Sequence, residues 1–501
     1  MDLTEKRDGN GQKMGGPAGG SGASGGTDRR AFLYGKGGAN YTGNDNNGRL
    51  TVSGTVEGSV GGWYRVSGDA ANGSVTTENG IHIENGNIFG GYTHDGNASG
   101  NEAALTGTWV IGGPSGDYST GAVFGGYTDR GDANKNPLTI NEYSTIDFQA
   151  VGGQTYDGSA DNNEVRIDTS FIGRDPRDLS EEEVAQAPDA VNGGSGDSAS
   201  DNKVEMTDSM SWGRVTGGAA FTGEANGNTV TISGGHVVSV AGAELTVSHV
   251  YHMIGGYATD GDAAGNGVWI ENSKVSVYGR PASGYDPTSY LAGGYAVGGT
   301  ADGNWLVILN STVERTPAAG EENTNLLIAG GLGETGANKN WVLMGDADGS
   351  GSRSTVTGNY IYGGYTERGS ASGNQVSAAH ADLTLTEASK GLIGGWTDSG
   401  DAVSNEVQLS DSTLEADLLY GGGTKTGDAR ENTLLITGGA DVTVTYAIGG
   451  STEAGAASDN EITLEGDARS SRLTCSSAAG PRKASLRAIR SRSAAAGAET
   501  R

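Results

Sequence analysis

Asp346, Asp348, Ser350 and Gly351 place oxygen donors and a glycine at the spacing that opens a calcium loop. Thr357 stands where the closing bidentate acid belongs, so an acidic glycine-rich turn is the better account. Arg130, Gly131 and Asp132 spell the RGD tripeptide of integrin ligands, but the glycine and the acid recur at equivalent points elsewhere in the chain and only Arg130 is peculiar. His82, His94, His236, His249, His252 and His380 are too scattered for a general base or a metal site. His249 and His252 sit three apart in strand-like text, on opposite faces. No pair stands out among the 61 acids, and no GxSxG nucleophile motif occurs. No catalytic residue, cofactor or metal is therefore assigned.

The residues that do recur are structural. Thirteen glycine pairs begin at Gly61, Gly90, Gly125, Gly152, Gly193, Gly217, Gly255, Gly293, Gly330, Gly363, Gly394, Gly421 and Gly449. An asparagine stands eleven residues after the first glycine at Asn72, Asn101, Asn136, Asn163, Asn228, Asn266, Asn304, Asn374, Asn405, Asn432 and Asn460, with the spacing shortened to Asn202 and Asn340 in two units. Ten of these units also carry glycine at offset six and alanine at offset eight, as Gly261 and Ala263 do. Pairs such as Val268, Ile270 and Val275, Val277 alternate with the period of strands. Short strands, turns of Gly, Asn, Asp and Ser, and units spaced 24 to 41 residues apart predict a solenoid with a fixed frame and adjustable loops. If Val268 and Ile270 point inward, Asn266 does too, and stacked coils would align the eleven asparagines as a ladder. The paired glycines then mark close backbone approach or positive φ, and Ala263 a tight corner.

Trp63, Tyr92, Tyr127, Tyr257, Tyr295, Tyr365 and Trp396 follow the glycine pairs. Counting by twos from an inward Ile254 turns Tyr257 outward. The seven rings are expected either to form an exposed binding stripe or, the reading we favour, to stack over the sheet between neighbouring coils.

Composition agrees with a repeat array rather than one compact core: 90 of 501 residues are glycine, 34% are hydrophobic, and one cysteine, Cys475, excludes an intrachain disulfide. Net charge is -29, but Ala468–Arg501 holds eight bases against Glu499, so residues 1–467 carry 24 bases against 60 acids. Such a surface repels nucleic acid and anionic lipid. The expected division is a flexible Gly/Ser-rich leader over 1–48, the repeat domain over 49–467, and a basic disordered tail over 468–501 unrelated to the array. A helix is expected over Asp178–Val191, where Ser180 and Glu183 form a capping box. No secretion signal or membrane helix is evident in the sequence.

The units FGGYTHDGNASGN, IGGYATDGDAAGN and IGGWTDSGDAVSN resemble the repeats of bacterial autotransporter passenger domains and related surface adhesins. The resemblance implies an all-β, right-handed parallel β-helix of about thirteen irregular coils. It implies display at a cell surface or outside the cell, and non-catalytic attachment to a host or bacterial surface glycan or protein, without membrane insertion by this chain. The export segment and membrane barrel of that family are missing here, so the chain reads as a passenger fragment. The competing expectations are a polysaccharide lyase or hydrolase, which would need converging acids and bases on adjacent coils, and an inert secreted or phage spacer.

Overall fold

The computed structural model describes residues 29–34, 40–42, 48–113, 120–174, 190–241, 250–279, 288–316, 325–346, 352–385, 390–465 and 469–472. These residues form a parallel β-helix, with no α-helix among them. One coil gives the plan: a glycine strand, Val250–Ala258; a two-residue strand, Ala263–Ala264; an aliphatic strand, Gly267–Glu271; and a return strand, Lys274–Gly279, before the next glycine strand, Thr288–Ala296. Each pairs in parallel with its counterpart one coil on, as Val268 does with Leu306 and Ile270 with Ile308. In the last full coils the return and glycine strands fuse into single strands, Thr413–Thr426 and Asp441–Ala454. Both repeat and strand period follow from the sequence, because only alternating apolar residues can fill the narrow interior while their neighbours face out. Met253, Val268, Ile270, Val275 and Val277 are all buried in one continuous core.

The ends differ from the expected division. Arg29–Tyr34 runs antiparallel to the first glycine strand, Ser59–Ser67, and Asn40–Thr42 runs antiparallel to Arg49–Ser53, so part of the supposed leader closes the open edge of the first coil. An uncovered terminal coil would present a row of unpaired N–H and C=O groups. At the other end Arg469–Arg472, placed in the tail by composition, still pairs with Asp441–Ala454. The helix expected over Asp178–Val191 lies outside the described residues apart from its last two, and there Val191 begins a glycine strand, Val191–Gly196. Asp348, Ser350 and Gly351 of the calcium-like run also lie outside them.

A column of twelve asparagines, Asn101 to Asn460, runs through one corner and includes Asn202 and Asn340. In a representative coil Asn266 Nδ2 donates to Asn304 Oδ1 at 3.0 Å and to the Ala225 carbonyl at 2.6 Å, while its backbone N–H donates to Asn304 Oδ1 at 2.9 Å. Asn266 Oδ1 accepts the same pair of bonds from Asn228. Each amide before the last, Asn460, therefore ties three coils together with all its polar atoms paired. The residue before each of these asparagines has positive φ, as Gly265 and Lys339 do, which turns the chain through the corner.

Asn72 does not belong to the column. It is the exposed, left-handed residue of its turn, and Gly73 occupies the corner, donating its N–H to Asn101 Oδ1. The pairing explains the slip: Gly61 aligns with Phe89 and Trp63 with Gly91, so the first coil's frame starts at Gly62. In later coils a Cβ at the second glycine would strike the asparagine amide, as at Gly256 with Asn266. In the first coil the pair is inverted. Trp63 replaces the glycine, Gly73 replaces the asparagine, and the indole fills the vacated corner, donating Nε1–H to the Ala71 carbonyl at 3.0 Å.

Close approach, rather than positive φ, is what the glycine pairs supply. A Cβ on Gly255 would meet the Gly293 carbonyl at 2.3 Å, and neither Gly255 nor Gly256 has positive φ. The alanine column is equally tight: Ala263 is fully buried and packs with Ala225, Ala258 and Ala296. Ala263→Leu is expected to cost about 1–3 kcal/mol by overpacking. Urea unfolding measures this, and an unchanged midpoint would show that the corner has room.

A second hydroxyl column was not read from the sequence. Gly235 N donates to Ser273 Oγ, Ser273 N to Ser311 Oγ and Ser311 N to Ser354 Oγ, at 3.1, 3.0 and 3.4 Å. Its signal is a left-handed residue followed by serine, as in Asn272-Ser273, Asn310-Ser311 and Asp411-Ser412.

Candidate functional site

The glycine sheet is unusual in being buried on both faces, and its outer face carries the aromatic residues. The reason is a break in alternation: Met253 points into the core, Ile254 joins the outer cluster, and the ladder passes from Ile254 to Gly256 with Gly255 left out of the pairing. Tyr257 is thus outward together with Ile254, not because Ile254 is inward.

Two aromatic clusters result. Near the N-terminus, Phe89 stacks on Phe124 at 5.1 Å and Tyr92 on Tyr127 at 5.3 Å, with Tyr64 continuing the row at 5.2 Å from Tyr92. Tyr64, which the sequence reading missed, takes the place given there to Trp63. The Tyr92 hydroxyl donates to Asp129 Oδ2 at 2.9 Å, the same carboxylate oxygen that lies 2.5 Å from His94 Nδ1. Burial, followed by the Asp129 charge and hydrogen bond, pushes the Tyr92 phenol well above its ordinary range. Tyr127, fully enclosed, is pushed up chiefly by burial and then by its neighbour Tyr156.

The column then turns small and polar, through Gln154, Ser195 and Ala219, before Tyr257, Tyr295, Leu332, Tyr365 and Trp396. Tyr92, Tyr127, Tyr257 and Tyr295 are buried, while Tyr365 and Trp396 are half-exposed. The exposed stripe is thereby corrected: neighbouring rings pack on one another, stacked for Tyr92 and Tyr127 and edge-to-face for Tyr257 and Tyr295, which removes most of their surface from water, and Trp63 is turned into the corner.

Where the row is interrupted, a trough opens. Leu327 and Leu332 lie at its base, nearly buried between Tyr290 and Tyr295 on the preceding coil and Tyr360, Tyr362 and Tyr365 on the next, with Trp396 beyond. The cavity volume is about 670 Å³. Glu334, Glu367, Asp398 and Lys425 stand at the end where the strands leave the sheet. Glu334 pairs with Arg368, and Asp398 with Lys425 at 2.7 Å, while Trp396 Nε1 donates to Asp398 Oδ1 at 2.8 Å. Burial raises the Tyr295 and Tyr362 phenols most, with smaller contributions from adjacent phenols and from Glu367 and Asp398 respectively.

Outside the trough the acids serve the frame. Asp132 Oδ1 accepts the Ser159 N–H at 2.9 Å, Asp262 Oδ1 the Thr300 N–H at 2.8 Å, and Asp401 Oδ1 the Asp428 N–H at 2.9 Å. The RGD tripeptide is one such turn, its Arg130 paired with Asp95 at 3.1 Å. Among the described residues no group of three or more His, Cys, Asp or Glu side chains is arranged to hold a metal ion.

Comparison with protein-family models gives no match to this chain, and comparison with curated proteins gives none either.

Proposed function

We propose that the chain is a non-catalytic, adhesin-like surface protein whose β-helix holds the trough walled by Tyr290, Tyr295, Tyr360 and Tyr365 toward a partner on a host or bacterial surface. The observation that carries this reading is the trough itself: a ring-walled cavity of mixed polar and apolar lining, set on a stiff frame, with Glu334, Glu367, Asp398 and Lys425 gathered at one end. The frame suits such a role, because the asparagine column and parallel ladders fix the walls relative to each other over many coils. A lyase or hydrolase would need free acid and base groups converging on a substrate. Here Glu334 and Asp398 are already held by Arg368 and Lys425.

The test is a glycan and matrix-protein binding array probed with the full chain and with the Tyr365→Ala, Trp396→Ala double variant. These half-exposed rings form one wall, so the variant is expected to keep its fold and lose binding to whichever surface component the parent retains. Equal binding by the two forms would remove the trough as the attachment site.

A further inference from the structure

Building on that reading, we propose that the trough takes a neutral oligosaccharide, one sugar ring lying against the Trp396 indole with its hydroxyls held by the Asp398 and Lys425 pair. A pyranose ring carries an apolar face of C–H groups and a rim of hydroxyls. The C–H face suits the negative face of an aromatic ring, and the rim gives up water without penalty only where hydrogen-bonding groups replace it. The trough offers both in one wall. Tyr365 and Trp396 stay half-exposed while Leu327 and Leu332 are nearly buried, so an entering ligand meets rings and polar groups rather than aliphatic side chains.

The indole is placed for this contact. Trp396 is aligned with Gly423 on the next coil and lies across it, where a Cβ would come within 2.6 Å of the ring. Tyr420 lies alongside, its ring plane 26° from the indole's and the centroids 6.3 Å apart. Two residues along the same strand, Asp398 anchors the indole: Trp396 Nε1 donates to Oδ1 at 2.8 Å, and Lys425 Nζ donates to Oδ2 at 2.7 Å. These bonds leave each carboxylate oxygen with a lone pair to spare and Lys425 with N–H groups that have no acceptor among the described residues. An acceptor and a donor side by side next to an aromatic face match two neighbouring hydroxyls of one sugar, one donating to Asp398 and the other accepting from Lys425.

The charges select a neutral sugar. Among the described residues lining the cavity Glu334, Glu367 and Asp398 are acids, and Lys425, the one base, is already matched by Asp398. Arg368 offsets Glu334 from outside the lining, and Lys390 is drawn onto the Tyr360 ring, its Nζ 4.5 Å from the centre. A uronate, sialic acid or sulfated sugar would therefore meet an excess of acids, and the net charge of -29 repels it from a distance. The volume of about 670 Å³ lies within the roughly 300–1,000 Å³ of small-ligand sites, which suits a short oligosaccharide.

The experiment titrates the full chain by calorimetry with neutral tetrasaccharides of glucose, galactose, mannose and N-acetylglucosamine, with tetragalacturonate, and with collagen stripped of its glycans. At least one neutral tetrasaccharide is expected to bind, roughly tenfold more tightly than tetragalacturonate. Lys425→Met should weaken that binding roughly tenfold, as the loss of one or two hydrogen bonds would. Lys425 is half-exposed at 49%, so the substitution should leave the fold intact, which circular dichroism checks. An ion pair serving only the frame would leave sugar affinity untouched by Lys425→Met, and that result overturns the proposal. Binding of none of the neutral sugars, tighter binding of tetragalacturonate, or binding of the stripped collagen in their place also overturns it while leaving the trough as an attachment site. If surface binding on the array survives Tyr365→Ala, Trp396→Ala, the attachment reading itself falls.

Discussion

Asn266→Ala should destabilise the β-helix by about 3–5 kcal/mol, far more than an average surface amide would. Asn266 Oδ1 accepts both the backbone N–H and the side-chain N–H of Asn228, and its own Nδ2 donates to Asn304 Oδ1 and the Ala225 carbonyl. Removing it leaves the buried Asn228 N–H without its acceptor, which by itself costs about 1–3 kcal/mol, and the other lost bonds about 0.5–1.5 kcal/mol each. Truncation also opens a space that Gly256 cannot fill, since it has no side chain. Asn460 ends the column and is only half-buried, so Asn460→Ala should cost about 1 kcal/mol. Because each coil touches only its neighbours, the mid-column variant should also split urea unfolding into two transitions, one for the coils on either side. Circular dichroism during denaturation checks both effects. A loss below about 1 kcal/mol at Asn266 would mean that water takes the amide's place and that the column contributes little.

The frame was legible because it rests on local, repeated chemistry: period-two aliphatics give strands, and fixed Gly, Ala and Asn offsets give corners. Where the reading slipped, the information was also present but weighed wrongly. Counting from Gly62 puts Gly68 and Ala70 at the offsets six and eight seen elsewhere, which would have moved the first aromatic from Trp63 to Tyr64 and excluded Asn72. The inverted Trp63 and Gly73 pair could not be read that way, because it depends on two side chains exchanging one volume across a corner. Ile254 was misassigned for a related reason: skipping Gly255 in the ladder shifts the alternation, and period-two counting assumes that no residue is skipped. The trough lies furthest from the sequence. It arises because Leu327 and Leu332 interrupt two separate tyrosine columns in the same coil, and their juxtaposition is visible only once the coils are in register.

The aromatic face has a second large consequence, at high pH. Tyr92, Tyr127, Tyr295 and Tyr362 all have phenols raised above their ordinary range, chiefly by burial. In the unfolded chain a phenol ionises near pH 10, so between about pH 10 and the higher folded value the unfolded state releases a proton that the folded state keeps. Stability is therefore unaffected well below about pH 10 and falls above it, by about 1.4 kcal/mol per pH unit for each phenol. Tyr92 and Tyr127 share one cluster and Tyr295 and Tyr362 the other, so each cluster should lose about 3 kcal/mol per pH unit. Against a typical total of about 5–15 kcal/mol, unfolding is expected by about pH 12, with buried phenolate absorbance and loss of strand circular dichroism rising together. Tyr127→Phe removes one linked proton and the hydrogen bond to Tyr156, and should flatten the alkaline slope of its cluster by about 1.4 kcal/mol per pH unit. If all phenols ionised near pH 10 while the strand signal persisted, the rings would have to be open to solvent, and a face able to hold a rigid trough would have to be looked for elsewhere on the β-helix.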